Sequence, residues 1–214
     1  MKIFLKNKKS RGGYTIIETM VAISVFLVVI MFGMTALLNA YSVHRKLQDM
    51  RSIIDNINFV MEDISRNMRV GYNFQCFRKG VDTIANPVQN NFSSALNALN
   101  GLPRSCQDGW ALAFEPSTGN PAVTTDQWVY YLDGSGKVWK STQGAAVGSF
   151  IQLTPDEVVI DQFSGFSVLG APSKASGDSQ QPIIKIWLSG RIIFKGVATP
   201  FSIQTSVSQR AVDT

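Results

Sequence analysis

Few side chains in this sequence are of types that do chemistry, and their placement narrows the options further. His44 is the one histidine, and Cys76 and Cys106 are the two cysteines. A zinc site of His and Cys needs more donors than these, so no metal centre is assigned. A nucleophilic centre of the Ser-His-Asp or Cys-His kind would have to use His44. That residue sits beside Arg45 and Lys46 at the end of an apolar run, which suits an interfacial side chain better than a catalytic base. Asp126, Asp156 and Asp161 have no spacing that marks carboxylate catalysis, so no catalytic residue is assigned. Asp133-Gly134-Ser135-Gly136 lacks the acid spacing of a calcium loop and reads as a turn. No GxxxxGK[ST] or strand–GxGxxG–helix string occurs, so no nucleotide or other cofactor is expected. Two features remain: the cysteine pair, and Glu18, a carboxylate at the head of a long apolar run. A membrane carboxylate is costly unless neutralised, which makes Glu18 a candidate functional group.

The elements that must position these groups begin with a basic tail. The 214 residues carry a formal net charge of +5. Lys2, Lys6, Lys8, Lys9 and Arg11 lie within the first 13 residues, which hold no acid; the other 15 bases equal the 15 acids. No basic groove or aromatic–basic interleaving is left, and no nucleic-acid partner is expected. Residues 20–38 carry no charge, and as a helix they span about 28 Å, close to the hydrocarbon thickness of a bilayer. Bases ahead of the run predict a cytoplasmic N-terminus and an exported remainder. Three readings fit such a run. A cleaved secretory signal has a shorter apolar core and a better small-residue site than Leu38-Asn39-Ala40. A plain signal anchor would carry an exported binding domain. The third reading is a membrane helix in which Glu18 has a partner.

The apolar period continues beyond the membrane run. Val43, Leu47, Met50, Ile54, Ile57, Met61, Ile64 and Met68 recur at alternating steps of four and three, one stripe of an amphipathic helix. Arg45, Lys46, Arg51, Asp55, Glu62, Asp63, Arg66 and Arg69 fill the other faces. Gly71 is a suitable stop. A helix over 14–70 is therefore predicted, transmembrane over 14–41 and amphipathic over 42–71. The stripe fits either a coiled-coil seam or packing on a sheet, and the strands that follow favour the sheet.

The string Gly12-Gly13-Tyr14-Thr15-Ile16-Ile17-Glu18-Thr19-Met20-Val21-Ala22-Ile23 resembles the processing signal of type IV prepilins and type II secretion pseudopilins. That signal is a basic leader, Gly, an aromatic (usually Phe, here Tyr14), a short stretch ending in Glu, and an apolar helix. The resemblance implies a leader over 1–13, cleavage by prepilin peptidase between Gly13 and Tyr14, and N-methylation of Tyr14. It implies that Glu18 pairs with the Tyr14 amine of a neighbouring subunit. Two buried opposite charges are tolerable when paired, and such a pair gives register to an apolar contact. Residues 153–160 with Phe166, and 201–210, are similar to segments of minor pilins and J-type pseudopilins. The implied partners are the peptidase, other pilin or pseudopilin subunits, an inner-membrane assembly platform and membrane lipid. The implied location is a single pass through the cytoplasmic membrane, then an extracytoplasmic filament. Where major pilins often carry a helix proline, this chain has Gly33, the expected centre of any local melting.

Residues 72–109 read as a loop region, with a short helix over 93–99. In an exported domain, Cys76 and Cys106 are expected to form a disulfide across it, worth roughly 3–4 kcal/mol by the chain-entropy model. The head, residues 110–214, shows strand patterns at 110–115, 127–133, 137–140, 150–153, 158–163, 166–169 and 182–188, with an exposed loop at 170–181. A last strand is set off by Gly196 and Pro200, with Phe201, Ile203, Thr205 and Val207 alternating with polar residues. One long helix followed by antiparallel strands makes the chain α+β, with a pilin-like layout implied by the resemblance.

Overall fold

Helix α1 (Ile16–Val70) runs 55 residues through a stretch free of proline. It starts two residues later than the apolar pattern suggests, because Thr15 is its cap, and it ends at Gly71, whose N–H still bonds to the Asn67 carbonyl. The computed structural model describes residues 12–82, 102–146, 148–173, 176–178 and 180–210. The chain divides into two compact units, residues 1–49 and 50–214. The first holds the apolar turns of α1. The second holds the remaining turns and an antiparallel sheet, so the chain is α+β as its patterns imply.

Nine strands make this sheet among the described residues: β1 (Tyr72–Arg78), β2 (Cys106–Glu115), β3 (Trp128–Leu132), β4 (Val138–Ser141), β5 (Ile151–Gln152), β6 (Val158–Ile160), β7 (Gly165–Leu169), β8 (Ile183–Phe194) and β9 (Val197–Ser208). The order is β5-β4-β3-β2-β7-β8-β6, with β1 also on β2 and β9 along β8. Segment 72–109 is thus not all loop. Its first seven residues are β1, and its last four open β2. Strand β1 escapes a reading of alternation because Phe74, Gln75, Cys76 and Phe77 are all buried, so both faces are covered. A bulge at Asn73 (φ 54°) interrupts its register with β2. The short helix expected over 93–99 lies outside the described residues.

The last two strands are longer than their alternation suggested. Strand β8 continues through Gly190 to Phe194, and Lys195-Gly196, both at positive φ, turn the chain straight into β9. Two consecutive positive-φ residues suit the right-handed twist of a tight hairpin. Gly190 is no break: a Cβ there would strike the Val159 carbonyl of β6, so only glycine lets the strands approach. Pro200 sits inside β9, tolerated because β9 pairs on one side only. The expected alternation in β9 holds, with Phe201, Ile203, Thr205 and Val207 covered and Ser202, Gln204, Ser206 and Ser208 exposed.

The amphipathic half of α1 packs on the sheet through Ile53, Ile57, Val60, Met61, Ile64 and Met68, which join Phe74, Leu112, Phe114, Tyr130, Phe166, Ile184, Ile186 and Leu188 in one core. The docked face differs from the sequence stripe at one end. Ile53 and Val60 are buried, whereas Ile54, Leu47 and Val43 are exposed. A straight helix has 3.6 residues per turn, so a strict 4-3 stripe drifts off the contact line. A polar tie reinforces the contact. Lys140 Nζ lies 2.8 Å from Asp63 Oδ2, the Tyr130 hydroxyl donates to Asp63 at 2.9 Å, and Asn67 Nδ2 donates to the Tyr130 hydroxyl at 2.9 Å. The other face of the sheet carries Phe77, Ala111, Ala113, Val129 and Tyr131 under Trp139 and Phe150, with the Tyr131 and Trp139 rings stacked at 6.2 Å.

Ile64→Ala, at a fully buried position, is expected to cost about 2–5 kcal/mol of unfolding free energy. Ile54→Ala, at an exposed one, is expected to cost less than about 1 kcal/mol. Denaturant melts of the full chain in detergent check this, and equal losses would show that the docked face is the sequence stripe instead.

Candidate functional site

The N-terminal site is built on the first turn of α1. Thr15 Oγ1 accepts the Glu18 backbone N–H at 3.3 Å, so Thr15 is the cap and Glu18 the third helical residue. This is the Thr-x-x-Glu arrangement of a capping box, and it sets the carboxylate at the positive end of the helix dipole. Gly12, Gly13 and Tyr14 precede the helix without regular structure and fully in the open. A Cβ on Gly13 would meet no atom among the described residues, so packing within the chain makes no demand for glycine there.

From Gly12 to Arg45 no residue is buried, although the stretch includes Ile16, Ile17, Met20, Phe26, Phe32, Leu37 and Leu38. The polar side chains in the run are satisfied locally. Thr19 donates to the Ile16 carbonyl at 2.8 Å, Ser24 to Met20 at 2.8 Å and Thr35 to Met31 at 2.9 Å. Such back-bonding removes the cost of a bare hydroxyl in hydrocarbon. The helix is continuous through Gly33, around which no side chain packs among the described residues. This one helix is long and apolar enough to cross a membrane. His44 lies just past the apolar turns and is exposed.

Cys76 and Cys106 form a disulfide, their Cα atoms 5.6 Å apart. The backbone beside it is already paired: Cys76 N donates to Arg104 O at 3.0 Å, and Arg104 N to Phe74 O at 2.8 Å. Gly109 allows the bridge its room, since a Cβ there would lie 2.5 Å from Cys76 Sγ. Asp82 anchors the same edge, accepting Arg104 Nη1 at 3.0 Å and the Arg78 N–H at 2.7 Å.

A second cluster was not legible in the sequence. Glu115, Gln127 and Gln75 are fully buried side by side on the face of the sheet away from α1. Gln127 Nε2 donates to Glu115 Oε1 at 2.7 Å. Loop 116–127 folds over them: Asn120 N donates to Asp126 Oδ2 at 2.9 Å, and the Tyr72 hydroxyl donates to the Gly119 carbonyl at 2.7 Å. Burial, aided by the Asp126 charge, pushes the Glu115 carboxyl up to about 7 against the hydrogen bond from Gln127. Burial also pushes the Tyr72 hydroxyl up, with the Glu115 and Asp126 charges adding to it. Eleven positions separate Glu115 from Asp126 and no periodicity links them; the β2–β3 turn brings them together. Asp156 and Asp161 do not join this cluster. Asp156 takes a hydrogen bond from Gln152, and the Asp161 backbone bonds to Ser189.

No protein-family model matches the chain, and no curated protein or solved structure matches it. What stands on the geometry is the layout, a long apolar N-terminal helix followed by a β-sheet head, which is pilin-like.

Because the folded Glu115 carboxyl titrates near 7 rather than at 4.5, its ionised form is the disfavoured one. The stability it contributes is complete below its unfolded value and is lost as pH rises through its folded value. In EDTA buffer the melting temperature of the wild type is therefore expected to fall relative to Glu115→Gln between pH 5 and pH 8. Parallel curves for the two proteins would contradict this.

Proposed function

We propose that the chain is a structural subunit of the prepilin class, a minor pilin or J-type pseudopilin of a type IV pilus or type II secretion-like filament. The observation that carries this reading is the uncovered apolar stretch of α1, headed by a capped Glu18 directly after Gly13-Tyr14. Apolar side chains along some thirty residues need a bilayer first and neighbouring helices afterwards. Lipid alone explains the run, but not a carboxylate in its first turn.

In this reading prepilin peptidase cuts between Gly13 and Tyr14, and the glycine serves the enzyme's approach rather than the subunit's own packing. The new Tyr14 amine, on which the methyl is placed, puts positive charge next to the positive end of a helix dipole. Glu18 offsets it within one subunit or neutralises that of the subunit already in the filament. An unpaired carboxylate entering an apolar bundle is strongly disfavoured, so only the register that pairs it is stable. Other pilin subunits, an assembly platform in the inner membrane and lipid are the partners. The second unit (residues 50–214), which contains the head, stays on the extracytoplasmic side, where its disulfide persists. The chain works as a building block and not as an enzyme.

Co-expression of the full chain with a prepilin peptidase, followed by intact mass and N-terminal sequencing, tests the processing step. The expected product begins at Tyr14 and carries one added methyl group. A retained leader would leave a signal-anchored exported binding domain, and a cut near Ala40 would leave a secreted head. Glu18→Ala and Glu18→Gln separate charge from cap, since glutamine also serves at the third position of a capping box. Both variants are expected to drop out of sheared filaments while remaining processed. Normal incorporation of Glu18→Gln would mean that the cap, not the charge, is what assembly needs.

A further inference from the structure

The cluster beneath loop 116–127 has an imbalance that its own atoms do not resolve. Glu115 Oε2, Asp126 Oδ1, Gln127 Oε1 and both side-chain atoms of Gln75 are buried without a hydrogen-bond partner. Four of these five atoms are acceptors, and two belong to carboxylates. The residues converge from two strands, β1 and β2, and from the end of the loop that leads into β3. Glu115 ends β2, Gln127 lies just before β3, and Gln75 faces Ala113, two residues before Glu115. Asp126 reaches in from the loop, held by its other oxygen to the Asn120 N–H. The loop backbone closes over the carboxylate, as a Cβ on Gly119 would lie 2.6 Å from Glu115 Oε2. None of the ion pairs among the described residues involves Glu115 or Asp126.

Buried acceptors with no donor are costly, and a buried carboxylate with no cation, here Glu115, more so; Asp126 is half-buried and brings the second charge from the loop. A water can donate only two hydrogen bonds and brings no charge. A single proton between the two carboxylates would leave both amide oxygens bare. A hard divalent cation satisfies several oxygens at once and neutralises both charges. Carboxylate and amide oxygens in irregular array are a donor set calcium accepts, whereas magnesium demands a near-octahedral one.

We propose that Glu115, Asp126 and the amide oxygens of Gln127 and Gln75 form a calcium site that ties the β2–β3 loop to the outer face of the sheet. The ion would convert this unsatisfied polar patch into a brace. It would hold loop 116–127 in a single conformation whatever the rest of the chain does. The proposal is independent of the assembly reading above, because it concerns groups inside the head.

The test uses the full chain in detergent, stripped with EDTA and dialysed into chelator-free buffer at pH 7.5. CaCl2 is then added during calorimetric titration and thermal melts. Saturable binding of about one ion per chain, with a dissociation constant of about 1 mM or tighter and a raised melting temperature, is expected. Glu115→Gln and Asp126→Asn keep the side-chain shapes and are each expected to weaken binding at least about tenfold. Glu18→Gln, remote in sequence, is expected to bind as the wild type does. No saturable binding by the wild type would overturn the proposal, as would unchanged affinity in both head variants. If calcium does nothing while Glu115→Gln alone raises the melting temperature at pH 7.5, a proton rather than a metal balances the site, and the proposal fails.

Discussion

The sheet of this protein has an apolar inner face running from Phe74 on β1 to Val207 on β9, and a face of that kind is stable only when another layer covers it. The cover is the second half of α1. Ile57, Val60, Ile64 and Met68 are almost wholly removed from water there, each contributing on the order of 1.5–3 kcal/mol of burial. Much of the rest follows from this contact. It sets which face of α1 is docked, and so which side chains of the same helix are free for polar work. Asp63 and Asn67 reach the sheet at its border and meet Lys140 and Tyr130. Glu62 and Arg66 pair with each other in solvent.

The first half of α1 has no such layer. Its hydroxyls are turned back onto its own carbonyls, its backbone is paired within the helix, and its apolar side chains point outward all round. That is the state of a segment whose solvent is hydrocarbon or other helices. The charged group in it, Glu18, is placed where the helix itself favours an anion, which lowers the cost of holding a carboxylate at an apolar boundary. The same chain thus meets one constraint, the covering of apolar surface, by two routes: internally in the head, externally at the N-terminus.

Much of this was readable along the chain where one residue and its near neighbours carry the signal. The charge-free helical run, the Asp133–Gly136 turn and the alternation of β9 are local, and each appears as read. Asp133 Oδ1 does accept the N–H groups of Ser135 and Lys137, as a turn aspartate should. The failures share a cause. Strand β1 is buried on both faces and so shows no alternation. Strand β8 runs past the expected end at 188 because Gly190 admits the close approach of β6. Ile53 and Val60 fall outside the four-three stripe because the contact line of a straight helix drifts off a strict heptad. In each case the deciding partner lies far away in sequence.

Composition and spacing by themselves determined that the basicity belongs to a short tail and that an apolar helix of membrane length follows it. They also determined that antiparallel strands come after that helix, because period and charge are properties of the chain alone. Only the tertiary structure decided which side of α1 meets the sheet. It also gathered Glu115, Asp126, Gln127 and Gln75 beneath one loop. Those outcomes depend on the register between strands and on the approach of segments dozens of residues apart. No local pattern encodes that approach, because its energy comes from surfaces that exist only after folding.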